Sequence, residues 1–171
     1  WSRREALGVL GAPLAAGTKS KVVVAHGAGL NETALLRTLD NAMSACFNVD
    51  TPVEAWRRVV KPGEVVGLKV NCLSGKGNST HAAVVEAVCQ RLHEAGIPAK
   101  NIVVWDRLNS DLESAGFRPS TNPNRVRYLG NDALGYGSEL ATHGEAGSLL
   151  CRTLTDICDA VINLPVLKDH G

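Results

Sequence analysis

One lysine stands in a run that is otherwise built for burial. Val65-Val66-Gly67-Leu68-Lys69-Val70 is continuously apolar apart from Lys69. A lysine in a buried strand must find a counter-charge or reach a wet cavity, because a desolvated ammonium is costly. Other ionisable and amide side chains follow apolar runs in the same way. His26 follows Lys21–Ala25, and Asn71 and Cys72 follow Val70. Asp106 and Arg107 follow residues 102–105, while Asn163 ends an apolar run that leads to Lys168, Asp169 and His170. Lys69 and Lys168 are suited to holding an anionic substrate or cofactor. His170 or Asp106 is suited to moving protons, histidine because it titrates near neutral pH. His170, Asp169, His26 and Asp106 also make a set of nitrogen and oxygen donors for a metal ion. They come from separate runs, so spacing does not choose between these chemistries, and the cofactor stays unknown.

The segment Leu73-Ser74-Gly75-Lys76-Gly77-Asn78-Ser79-Thr80 joins the lysine-bearing strand to a helix start. Backbone N–H groups at a helix amino-terminus attract anions, and glycines let a ligand approach closely. Ser79 and Thr80 are therefore candidate ligand-binding residues, with His26, Asn71 and Asn163. The spacing is neither G-x-x-x-x-G-K-[ST] nor G-x-G-x-x-G, and a capped helix with an uninvolved loop is an equally open reading. His81 is either a cap residue or part of the site. Of the five cysteines, Cys46, Cys89, Cys151 and Cys158 read as small buried hydrophobes. Cys72 stands apart because it follows the strand that carries Lys69. No C-x-x-C occurs, so zinc-ribbon, ferredoxin and thioredoxin signatures are absent.

These residues need elements to position them. Lys21–Ala25, residues 64–70, 102–105, 126–129 and 160–164 read as short strands. Between them, residues 32–46, 52–60, 80–95 and 110–115 carry helical patterning, with Asn31 as a cap and Pro52 in a first turn. A short helix is expected over 154–158. Residues 130–150 are glycine-rich and read as a hairpin or a lid. Strands alternating with amphipathic helices predict an α/β fold, a mainly parallel sheet with helices on both faces. In such a sheet, ligands bind outside the carboxyl ends of the strands, which is where the polar residues fall.

The chain of 171 residues is long enough for one domain with a real core. Its net charge of +1 and aromatic content of 4% give no field or stacking surface for nucleic acid. No apolar run reaches the roughly 18 residues of a spanning helix. Arg3-Arg4 followed by a Gly/Ala-rich run resembles a twin-arginine export signal, which marks a bacterial, periplasmic protein. Residues 1–20 are read as that leader and 21–171 as the α/β domain. The polar Lys168–Gly171 follows directly on a strand, so the domain is expected to continue in a longer chain.

Four motifs occur in order: Val65–Leu73, Ser79-Thr80-His81, Val103–Arg107 and Ile162–His170. Together they resemble the domain of unknown function 362 family, and within it the branch that carries twin-arginine signals. The resemblance spans about residues 20–171 and maps the family's polar positions onto Lys69, Asn71, Asp106, Asn163, Lys168 and His170. Some relatives are fused to iron–sulfur modules, which implies an iron–sulfur protein as a candidate partner. Three functions follow as expectations: an exported enzyme acting on a small anion, a metal- or iron–sulfur-linked redox accessory protein, or a non-catalytic binding module.

Overall fold

Four apolar runs pair into one parallel sheet. The computed structural model describes residues 20–27 and 31–169. Strands β1 (Val66–Val70), β2 (Ile102–Asp106), β3 (Arg127–Gly130) and β6 (Ala160–Leu164) lie in the order β3-β2-β1-β6. Every pairing in this sheet is parallel, so all four carboxyl ends lie on one edge. The register sets Lys69 beside Trp105 on one side and Asn163 on the other. Strands β4 (Tyr136–His143) and β5 (Ala146–Cys151) form a separate antiparallel hairpin. Residues 130–150 thus contain a hairpin, one of the two forms expected.

The pleat alternates side chains between the two faces. Val66, Leu68, Val70, Ile102 and Val104 enter one core with Trp56, Val85, Val88, Leu92 and Ile97. That face is covered by helices α1 (Glu32–Phe47), α2 (Pro52–Val59), α3 (Ala82–Glu94) and α4 (Asn109–Ser114). Asn31 caps α1 through its side-chain oxygen, and Asn48 ends it in the left-handed conformation at φ 53°. Asp40 of α1 holds Arg91 of α3 through two N–H···O bonds of 2.7 and 2.6 Å. On the opposite face, Val103, Trp105 and Leu129 pack with Cys151, Leu154 and Ile157. Among the described residues, its helical cover is a single π turn, Thr153–Ile157. The α/β class stands, with the two faces unequally covered.

The expected first strand is corrected. Lys21–Ala25 takes no strand conformation, and Val22 and Val24 are 80% and 74% exposed. The segment lies along α1 instead: the Lys21 ammonium donates to the Ala45 carbonyl, and Gly27 abuts Thr38. A β-branched run becomes a strand only where a sheet edge accepts its backbone, and among the described residues this one meets α1 instead.

Candidate functional site

Lys69 sits at the fourth position of β1, on the face opposite the helices. Its aliphatic stem runs beside Trp105, and the ammonium lies 5.5 Å from that ring's centroid. The head turns over the carboxyl edge of the sheet. There it donates to Asp106 Oδ1 at 2.6 Å and to the Val70 carbonyl at 2.5 Å. The expectation that this lysine must pair is met by Asp106, the last residue of the neighbouring strand. An ammonium has three N–H donors, so these two bonds leave one.

Asp106 is buried, and two backbone N–H groups also donate to it. Oδ1 also accepts from the Arg107 N–H at 2.8 Å, and Oδ2 accepts from the Cys72 N–H at 2.6 Å. The carboxylate therefore ties β2 to the chain leaving β1. Cys72 is fully buried beside it. Burial pushes the thiol up to about 12, and the Asp106 charge pushes the same way. A thiol so placed is protonated near neutral pH and is no nucleophile there.

The loop after β1 is closed by its own polar residues. Thr80 Oγ1 accepts from the Asn71 N–H at 2.8 Å and donates to the Leu164 carbonyl at 2.7 Å. The Thr80 N–H returns to the Asn71 carbonyl. Thr80 thus clamps the exits of β1 and β6 to the approach to α3. Ser79 Oγ donates to the Gly75 carbonyl at 2.5 Å. His81 resolves as a cap residue: its Nδ1 accepts from the Ala83 N–H at 3.3 Å. Ser79 and Thr80 thus have their hydroxyls engaged in shaping this loop.

Lys168 returns to the same loop. Its ammonium donates to Asn71 Oδ1 at 2.7 Å, Ser74 Oγ at 2.9 Å and the Asn78 carbonyl at 3.3 Å. All three acceptors are neutral. The two ammonium groups are held by consecutive residues, Val70 and Asn71. Asn163 is exposed and lies level with Lys69 on β6. Lys69, Asn71, Asp106, Asn163, Thr80 and Lys168 therefore gather at the carboxyl ends of β1, β2 and β6. Ser74 and Asn78 join them. Nothing in the sequence marks that pair, because their partner lies about 90 residues away.

The remaining candidates fall elsewhere. His26 lies outside the sheet in an open cleft of about 510 Å³ with Arg37, Thr38 and Asn41 of α1. Its expected delivery by a first strand is corrected with that strand. His170 lies outside the described residues. Among those residues, no group of three or more His, Cys, Asp or Glu side chains is placed to hold a metal ion. A second open cleft, of about 420 Å³, lies at the hairpin and includes Arg152 and Asp156.

The family model described as Domain of unknown function (DUF362) matches residues 66–171, more than half of the chain. The match begins at β1 and takes in every residue of the carboxyl-end cluster. No curated protein and no solved structure is matched.

Proposed function

The chain belongs to the DUF362 family, whose description assigns no activity, and from that premise we propose that it binds a small anionic molecule at the carboxyl ends of β1 and β6. The observation that carries this reading is the Lys168 ammonium, set on the β1–α3 loop among three neutral oxygens. Its three N–H donors are spent on these oxygens, none of which carries a charge, so what Lys168 offers a ligand is its positive charge. Lys69 adds the donor that Asp106 and Val70 leave over, and Asn163 adds an exposed amide beside it. In this reading Asp106 is a positioning residue. Its oxygens already accept from Lys69, Arg107 and Cys72, so it aims Lys69 rather than abstracting a proton.

Calorimetric titration with inorganic phosphate and with succinate tests the proposal. Saturable binding of one of them is expected, weakened about tenfold in Lys168→Ala, as loss of about 1.4 kcal/mol of charge attraction requires. No saturable binding of either anion would sink the reading. Turnover of a bound anion would make the site an active site, and binding without turnover would make the protein a binding module.

The arginine pair Arg3-Arg4 supports the further proposal that the domain works in the periplasm after twin-arginine export. Those residues lie outside the described part of the chain. Replacing both arginines with lysine should retain the full-length product in the cytoplasm. An unchanged periplasmic fraction would refute this.

A further inference from the structure

The β1–α3 loop fills the donors of the cation that the anion reading depends on. An ammonium has three N–H bonds, and Lys168 gives them to Asn71 Oδ1, Ser74 Oγ and the Asn78 carbonyl, at 2.7, 2.9 and 3.3 Å. These acceptors are not equally placed. Asn71 is half-buried, and Thr80 clamps its backbone from both sides: the Asn71 N–H donates to Thr80 Oγ1, and the Thr80 N–H donates to the Asn71 carbonyl. Ser74 and Asn78 are exposed on the outer arm of the loop. Between them Gly75 takes the left-handed φ of 67°. Local bonds close that arm: the Gly75 N–H donates to the Cys72 carbonyl, and the Asn78 N–H and the Ser79 hydroxyl donate to the Gly75 carbonyl.

We propose that Ser74 and the Asn78 carbonyl are internal competitors for the Lys168 ammonium, and that a bound anion displaces them and releases the outer arm of the loop. The proposal rests on the anion reading of this site and deepens it. An anion brings charge attraction to the same donors, which a hydroxyl and a carbonyl lack. The 3.3 Å bond to Asn78 is the longest and yields first, followed by the bond to the exposed Ser74. Asn71 stays, because Thr80 anchors it. Breaking the two outer bonds costs free energy that subtracts from the anion's affinity. Ser74 is thus a positioning residue that sets affinity through Lys168. A serine that touched the anion itself would have the opposite effect when removed.

Phosphate and succinate titrations of Ser74→Ala separate these two roles. Loss of the competing hydroxyl should tighten binding about fivefold, the usual net contribution of one hydrogen bond. Ser74→Thr keeps the hydroxyl and should lack the gain. The gain should also disappear in a Lys168→Ala background, because Ser74 acts only through that ammonium. Amide exchange on the whole chain reads the loop directly. The Gly75 and Asn78 amides should exchange about tenfold faster in ligand-free Lys168→Met, and should also quicken in the unaltered protein at saturating phosphate. Unchanged or weaker binding in Ser74→Ala would overturn the latch and leave the anion reading standing. Unchanged exchange in Lys168→Met, or slower exchange on phosphate binding, would overturn it too. If the unaltered protein binds neither anion, the reading beneath the latch fails and the latch fails with it.

Discussion

At the scale of single residues, the Lys69–Asp106 pair governs the site. The lysine side chain is 30% exposed and the aspartate only 9%. Removing one partner of a buried pair leaves the other charge uncompensated, which costs more than the pair contributes. Lys69→Met should therefore lower unfolding stability by about 3 kcal/mol in a urea titration. A loss under about 1 kcal/mol would mean that water reaches Asp106 and screens it. Cys72 allows a second check. With its thiol pushed up to about 12, native protein at pH 8 should leave Cys72 unalkylated by iodoacetamide, and unfolded protein should not. Mass spectrometry of labelled peptides reads the difference. That Lys69 needs a partner was plain from its apolar flanks. Which carboxylate answers it was not, because Asp106 lies 37 positions away.

At the scale of elements, two small residues decide how closely the strands and loops assemble. Thr80 joins three segments through one hydroxyl. Thr80→Val keeps the shape and removes the hydroxyl's hydrogen bonds, orphaning the Asn71 N–H. The expected cost is about 2 kcal/mol in chemical denaturation, the usual penalty for an unsatisfied buried group. Gly67 lies where a Cβ would stand 2.5 Å from Cys158 Sγ and 3.0 Å from Trp105 Nε1. Gly67→Ala should lower the thermal midpoint, with an overpacking cost of about 1–3 kcal/mol. The reason for a glycine there, the packing of Cys158 beneath β1, was not legible in the sequence. Helix starts were legible at Asn31, read as a cap, and at Pro52, read as a first turn. The helix expected from Thr80 begins instead at Ala82, because Thr80 is spent on the clamp and His81 on the cap.

At the scale of the whole molecule, burial of weak acids sets the alkaline limit. Burial pushes Cys72 and Cys89 from 9.0 to about 12, and Tyr128, stacked on Phe117, from 10.0 to about 12. Raised folded-state values mean that the unfolded chain gives up these protons first. The protonated groups therefore leave stability intact below pH 9, and stability declines as pH rises from 9 through 12. Circular dichroism should show the denaturation midpoint falling across that interval. A Cys89→Ala, Tyr128→Phe variant should show a shallower fall. The hairpin belongs to this scale too. Leu140 and Leu149 are exposed on its two strands, and a lone two-stranded ribbon is held mainly by its own cross-strand contacts.

The sequence by itself determined the α/β class, strands read at 64–70, 102–105 and 160–164 and found at 66–70, 102–106 and 160–164, the order of the helices and the edge at which polar residues would collect. Those features follow from local patterning: continuous apolar runs, helical spacing and strand exits. Tertiary structure alone decided the rest. It matched Lys69 with Asp106, and brought Lys168 back to Asn71, Ser74 and Asn78. It engaged the Ser79 and Thr80 hydroxyls in shaping the loop, and left Lys21–Ala25 off the sheet with His26 against α1. Each of these outcomes depends on which backbone edge or side chain a residue meets across dozens of positions, and neither propensity nor periodicity encodes that meeting.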